Sequence, residues 1–411
     1  MSKAPDDPIA TFYRRHPYPP PTDDLDAYAA GWRDPQRRRV EYHRLWPTRA
    51  YRSDLRVLVA GCGTAQAAKY AMRLPGATVL GIDVSEAGID ATDRLIERHQ
   101  LTNVAVRRLP IEEVAELGQT FDLVVCTGVL HHLADPELGL RALREVLDPD
   151  GAMQLMVYGR YGRLGVTMIQ EYGRRLGIEA TPSDIAELVA TLRELPTHHP
   201  ISPLLRGTKD FQDDDALADA LLNPRERSYS VPELVTMIEA SGLRLGKWLH
   251  QAPYLPQCGA LSETPHAARI ARLEPAEQYA AVELFRGTIT RHSAILHRDD
   301  GPWSSPSAGA DGPITWEGTA WRRWVPLRPV TAVAVEERLP PGVAAVLLNR
   351  AHVHPDLVMM VDAAERAAFD AVDGQRTMDD ICARTGVGVE LFRRLWHHDL
   401  IVLDASGAPL A

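Results

Sequence analysis

Residues 57–65 read VLVAGCGTA. Four apolar residues run into Gly61-Cys62-Gly63, and an alanine-rich stretch, residues 64–74, has helical spacing. A buried strand that ends in a glycine turn before a helix lets a ligand approach the backbone, and the helix N-terminus offers free N–H groups. The next apolar run, ATVLGI at 77–82, ends on Asp83, 22 residues beyond Gly61. A carboxylate at that distance, at the end of the second strand, can accept hydrogen bonds from both ribose hydroxyls. The plainer reading is an ordinary strand-to-helix turn.

Working outward, Arg56–Val59, 77–82, Asn103–Arg107, Phe121–Cys126 and Ala152–Tyr158 read as strands. Helices over 64–74, 85–99 (with Ser85 as N-cap) and 136–147 alternate with them. This alternation predicts an α/β fold, a doubly wound and mostly parallel sheet. Strands at 243–249 and 293–297 bring it to about seven. Residues 161–225 read as a helical insertion. Residues 299–313, DDGPWSSPSAGADGP, read as a linker. Beyond it, 314–411 predicts a small α+β domain with helices at 363–372, 378–385 and 389–397 and a terminal strand, a winged-helix-like arrangement. Residues 1–50, with PYPPP at 17–21, read as an N-terminal lid or strap, and 51–298 as the ligand-binding domain.

The chain has 411 residues and a net charge of −10, which argues against a broad nucleic-acid surface or an anionic membrane as partner. Its four cysteines show no CxxC, so neither a zinc ribbon nor a disulfide framework is expected, and no metal site is read. With no apolar segment near membrane length, a soluble cytoplasmic protein is expected.

Two cofactors suit the glycine turn. A dinucleotide needs GxGxxG, and here Gln66 stands at the third glycine position. The shorter GxG form, LGIDVSEAGIDAT at 80–92, and FDLVVCTGVLHHLADPELGLRALREVLDPDGAM at 121–153 together resemble class I S-adenosylmethionine-dependent methyltransferases, which have a Rossmann-like fold. FYRRHPYPPPTDDLDAY, MVYGRYGRLGV and RSYSVPEL are similar to a bacterial group of these enzymes with an N-terminal Tyr-Pro-rich motif. The resemblance implies S-adenosylmethionine as cofactor. It implies Gly61, Cys62, Gly63, Thr127 and Gly128 around the methionine part, Thr64 among the cofactor contacts, Asp83 on the ribose, and Val84, Pro110 and Ile111 against the adenine. Two positions depart from the family pattern. Val59 stands where many members carry an acid for the methionine amine, leaving the Gly61 carbonyl or Gln66 to serve it. Leu109-Pro110-Ile111 also lacks the usual adenine-binding Asp.

The implied reaction is methyl transfer to N, O or S of a small-molecule or peptide acceptor. Candidate groups near the transferred methyl are His131, His132 and Tyr158; histidine can act as a base near neutral pH. The plainer reading has them shaping the loop and strand end. Tyr13, His16 and Tyr18 are expected to cover the cofactor. Arg225, Arg227 and Tyr229 either hold an anionic acceptor or form surface ion pairs. Trp303, Trp316, Trp321 and Trp324 are expected to dock the C-terminal module, which could also carry a protein partner or dimer contact. The alternative function is a non-catalytic S-adenosylmethionine-binding regulator or scaffold acting through that module.

Overall fold

The computed structural model describes residues 8–16, 18–207, 214–302 and 314–408. The strands are β1 (Arg56–Ala60), β2 (Thr78–Asp83), β3 (Val104–Arg108), β4 (Phe121–Thr127), β5 (Leu147–Gly159), β6 (Ser228–Tyr229), β7 (Leu243–Trp248), β8 (Arg291–Arg298), β9 (Val325–Leu327), β10 (Ala332–Val335), β11 (Ala345–Asn349), β12 (Val358–Val361) and β13 (Val402–Asp404). The main sheet has the order β3-β2-β1-β4-β5-β8-β7, with β6 beside β5. Strands β1 to β6 pair in parallel, and β7 runs antiparallel to β8. The α/β fold and the mostly parallel sheet are those expected, with the two-residue β6 added.

Val57, Leu58, Val59 and Ala60 of β1 are wholly buried, the signature of a central parallel strand covered on both faces. Helices Gln66–Arg73, Glu86–Arg98 and Pro136–Glu145 cover the sheet. Ser85 caps the second of these, its hydroxyl accepting from the Gly88 N–H at 3.2 Å. The strand order reverses between β1 and β4, and the crevice at their carboxyl ends is where open α/β sheets bind ligands.

By packing, the chain forms two units. The first comprises residues 1–30, 54–242 and 287–292; the second comprises 31–53, 243–286 and 293–411. This division differs from the expected cut at 299–313. Within the second unit, Val40 of helix Pro35–Leu45 packs with Val325, Leu327 and Val402, and the Ala405 N–H donates to the Pro47 carbonyl at 2.7 Å. Residues 31–53 therefore build the same core as the C-terminal stretch.

In the stretch read as an insertion, Leu164–Leu176, Pro182–Arg193, Ser202–Gly207 and Asp214–Leu222 are helices, and they share a core with Phe12. The C-terminal helices occur at Ala363–Asp370, Met378–Thr385 and Val389–His397. The antiparallel sheet β10-β11-β12 ahead of them was not read from the sequence. Its strands are short and separated by a Pro-Pro-Gly turn, and short apolar runs do not distinguish strand from helix. Strand β13 pairs with β9, upstream of all three helices. Trp316 makes edge-to-face contacts with Trp324 and Trp396 (centroids 5.4 and 6.0 Å apart); Trp324 belongs to the core of this unit, and Trp316 packs partly buried against it. Trp321 packs partly buried against the same core, and Trp303 lies outside the described residues.

Candidate functional site

The turn after β1 is built from two glycines with positive φ, +71° at Gly61 and +53° at Gly63. At Gly61 a Cβ would stand 2.3 Å from Val129 Cγ2, and at Gly63 it would stand 3.3 Å from the Tyr18 carbonyl oxygen. Any side chain here would strain the backbone and fill the cradle. Asp83 ends β2. Its Oδ2 accepts from the Gly63 N–H and its Oδ1 from the Ser85 N–H, each at 2.8 Å. Burial pushes its carboxyl above the ordinary carboxylate value, against the lowering effect of these backbone donors. Each oxygen keeps a second lone pair for a ligand hydroxyl.

These groups open into a cavity of about 670 Å³. Gly61, Cys62, Gly63, Thr64, Gln66, Asp83, Val84, Pro110, Ile111, Thr127 and Gly128 all line it, as do His132 and Tyr158. One stretch of wall, formed by Val84, Leu109, Pro110 and Ile111, suits an aromatic base. The Gln66 Nε2 donates to Thr127 Oγ1 at 2.6 Å, which leaves its Oε1 as an acceptor. The glycine cradle, the part-satisfied carboxylate and the apolar wall fit S-adenosylmethionine.

Other walls come from distant sequence. Ile9, Tyr13, Tyr18 and Pro19 contribute from the N-terminal segment, and the Thr64 hydroxyl donates to the Pro19 carbonyl at 2.8 Å. His16 faces elsewhere, meeting Asp215 at 2.8 Å and the Ala180 carbonyl at 3.0 Å. Leu204, Ala216, Asp219 and Ala220 contribute from the insertion.

The two candidate histidines separate. His131 is fully buried, does not line this cavity, and neither ring nitrogen has a hydrogen-bond partner. Burial, with His132 and Arg163 adding, lowers its pKa well below the ordinary histidine value. Its ring packs on Tyr158 at a centroid distance of 4.1 Å. His132 lies 2.7 Å by Nδ1 from the Arg225 carbonyl. A carbonyl only accepts, so Nδ1 carries the proton and the neutral ring has its lone pair on Nε2.

Tyr158, at the end of β5, lies under the Arg163 guanidinium, 3.6 Å from its ring centroid. Burial is the main cause that raises its phenol pKa. Arg163 is itself held by the buried Glu226, Nη2 to both carboxylate oxygens at 2.9 and 3.0 Å, and the Gln170 Nε2 donates to the same carboxylate at 3.0 Å. Sequence reading missed Arg163, Glu226 and Asp219. Glu226 lies between Arg225 and Arg227 in NPRERSY, where the arginines are the more conspicuous residues. Arg225 and Arg227 line a neighbouring cavity of about 970 Å³ instead, and Tyr229 is buried.

Among the described residues no helix is long and apolar enough to cross a membrane. The groups that could gather around a metal there are Asp24, Asp26 and His99, remote in sequence from the glycine turn.

Residues 58–153 match the family model described as a methyltransferase domain. An uncharacterised protein of Synechococcus sp. is 33% identical over 268 residues, covering 61% of this chain and 62% of the relative. The ubiquinone biosynthesis O-methyltransferase of Acinetobacter baylyi is 32% identical over 136 residues, covering 31% of this chain and 57% of that enzyme. The chain thus spans about three-fifths of the length of these relatives. The structure of PKMT2 from Rickettsia typhi in complex with AdoHcy shares the fold, with a TM-score of 0.64 at 16% identity over 94% of this chain and 77% of that one.

Proposed function

We propose that this chain, a class I S-adenosylmethionine-dependent methyltransferase by its domain at 58–153, transfers a methyl group to an N, O or S atom of a small-molecule or peptide acceptor in the cytoplasm. One observation carries the reading: the eleven residues expected to hold the cofactor line a single cavity, which continues past them to Tyr158, His132 and Asp219. Its volume lies in the range of small-ligand sites.

Bound S-adenosylmethionine supplies an electrophilic methyl on a sulfonium. The chain's own residues do the rest. Asp83 accepts from the ribose hydroxyls while its backbone bonds to Gly63 and Ser85 hold it in place. Gln66 Oε1 is the acceptor for the methionine amine. Tyr13, Tyr18 and Pro19 cover the cavity and exclude water from it. His132 Nε2 receives the proton of an acceptor that arrives protonated, and the Arg225 carbonyl stabilises the imidazolium that results.

Calorimetric titration with S-adenosylmethionine and S-adenosylhomocysteine tests the reading. Wild-type protein binds both, and Asp83→Ala weakens both by at least about tenfold, since two charge-assisted bonds are lost. Absence of heat with either ligand refutes it.

A further inference from the structure

Resting on the reading of this cavity as a methyl-transfer site, we infer that the acceptor carries a protonated amine and that Asp219 is its counter-ion. Asp219 sits in helix Asp214–Leu222, is 2% exposed, and lines the cavity. Its Oδ1 accepts from the Tyr13 hydroxyl at 2.8 Å and from the Asn223 Nδ2 at 3.2 Å. Both donors are neutral. Among the described residues Oδ2 accepts no hydrogen bond, and no arginine, lysine or histidine forms an ion pair with this carboxylate.

The contrast with its neighbour is informative. Arg163 also reaches the cavity, but its charge is met by Glu226, both of whose carboxylate oxygens accept from Nη2. The chain thus closes one buried charge internally and leaves the other open. An uncompensated buried carboxylate is costly, and a ligand cation removes that cost. Tyr13 binds Asp219 directly, and Tyr18 lines the same cavity. Fixed by Tyr13 and Asn223, the carboxylate is oriented before the acceptor arrives. A neutral alcohol would leave Oδ2 without a charged partner, and an anionic acid would meet like charge. Asp219 is thus a specificity-determining residue, and the amine it holds is either free or part of a lysine side chain.

Calorimetry on the full chain saturated with S-adenosylhomocysteine tests this with three probes of one length: n-pentylamine, 1-pentanol and pentanoate. The amine is expected to bind about tenfold or more tighter than the other two. Asp219→Asn abolishes that preference while leaving affinity for S-adenosylhomocysteine unchanged. Equal or weaker binding of the amine overturns the proposal, as does a preference that survives in Asp219→Asn. A loss of S-adenosylhomocysteine affinity in that variant also overturns it, by placing Asp219 on the donor. If the variant does not fold, the wild-type comparison of the three probes decides alone. Should wild-type protein not bind S-adenosylhomocysteine at all, the methyl-transfer reading fails separately, and the probes titrated without it still decide whether Asp219 selects cations. A blocked tripeptide, Ala-Lys-Ala, titrated beside pentylamine tells a peptide lysine from a free amine.

Discussion

At the scale of single residues, the site depends on groups whose environments set their roles. His131 and His132 are adjacent in sequence, yet only His132 reaches the cavity, with its Nδ1 on the Arg225 carbonyl. His132→Ala should lower turnover by about 100-fold and leave S-adenosylhomocysteine affinity unchanged, because a base matters to the reaction and not to donor binding. Single-turnover rates beside calorimetry make the comparison; equal rates in both proteins would remove the base role. Asp83 gives a pH prediction. Burial raises its carboxyl above the ordinary value of 3.8, so it takes up its proton at a higher pH than a free carboxylate does. The ionised form is the better acceptor for ribose hydroxyls. Donor affinity should therefore fall on acidification, starting above pH 3.8, and affinity measured across pH 3.5–7 checks the sign.

Between elements, the contacts that matter join segments far apart in the chain. The Arg163–Glu226 pair ties the start of helix Leu164–Leu176 to the end of the insertion, and Arg163 in turn rests on Tyr158 at the end of β5. Glu226→Ala leaves a buried guanidinium without its counter-ion, at a cost of about 3 kcal/mol. Chemical denaturation should show that loss, whereas a surface pair such as Arg174–Glu171 should change stability by less than about 1 kcal/mol. In the second unit, Asp404 of β13 plays a similar part. Burial alone would raise its pKa, but the His43 ring nitrogen 3.1 Å away and hydrogen bonds from Ser406 outweigh that and bring it to about 2. Its folded value is below the unfolded one, so its contribution is present above about pH 4 and is lost as the pH falls toward 2. Asp404→Asn should destabilise by about 1 kcal/mol at neutral pH, allowing for solvent screening, and the gap should close by pH 2. Thermal melts at the two pH values check it.

For the whole molecule, the packing units interleave along the chain. Residues 31–53 and 243–286 group with 293–411 in one packing unit. Truncation after residue 313 would strip Val40 of its partners Val325, Leu327 and Val402 and Arg39 of Asp404. The truncated chain should be poorly soluble and readily cut by protease within residues 31–53, where the full chain resists. A stable, soluble 1–313 fragment would contradict this account.

What the amino-acid sequence determined by itself is the glycine-turn end of the cavity. Gly61, Gly63, Asp83, Thr127 and Gly128 lie at the ends of strands that neighbour one another in a parallel sheet, so hydrophobic period and turn chemistry suffice to bring them together. The Gly63–Asp83 bond joins residues 20 apart across one βαβ unit. The rest of the cavity wall was decided only by tertiary structure. Tyr13 meets Asp219 across 206 residues, and Arg163 meets Glu226 across 63. The helices carrying Tyr13 and Asp219 show in sequence that they bury a face, but not against which partner. An amphipathic stripe states the need for a core, and polar residues at its edge acquire a role only once another segment packs beside them. The same reason hid the composition of the second unit. Val40 of helix Pro35–Leu45 finds its partners only where β9 and β13 pack beside it.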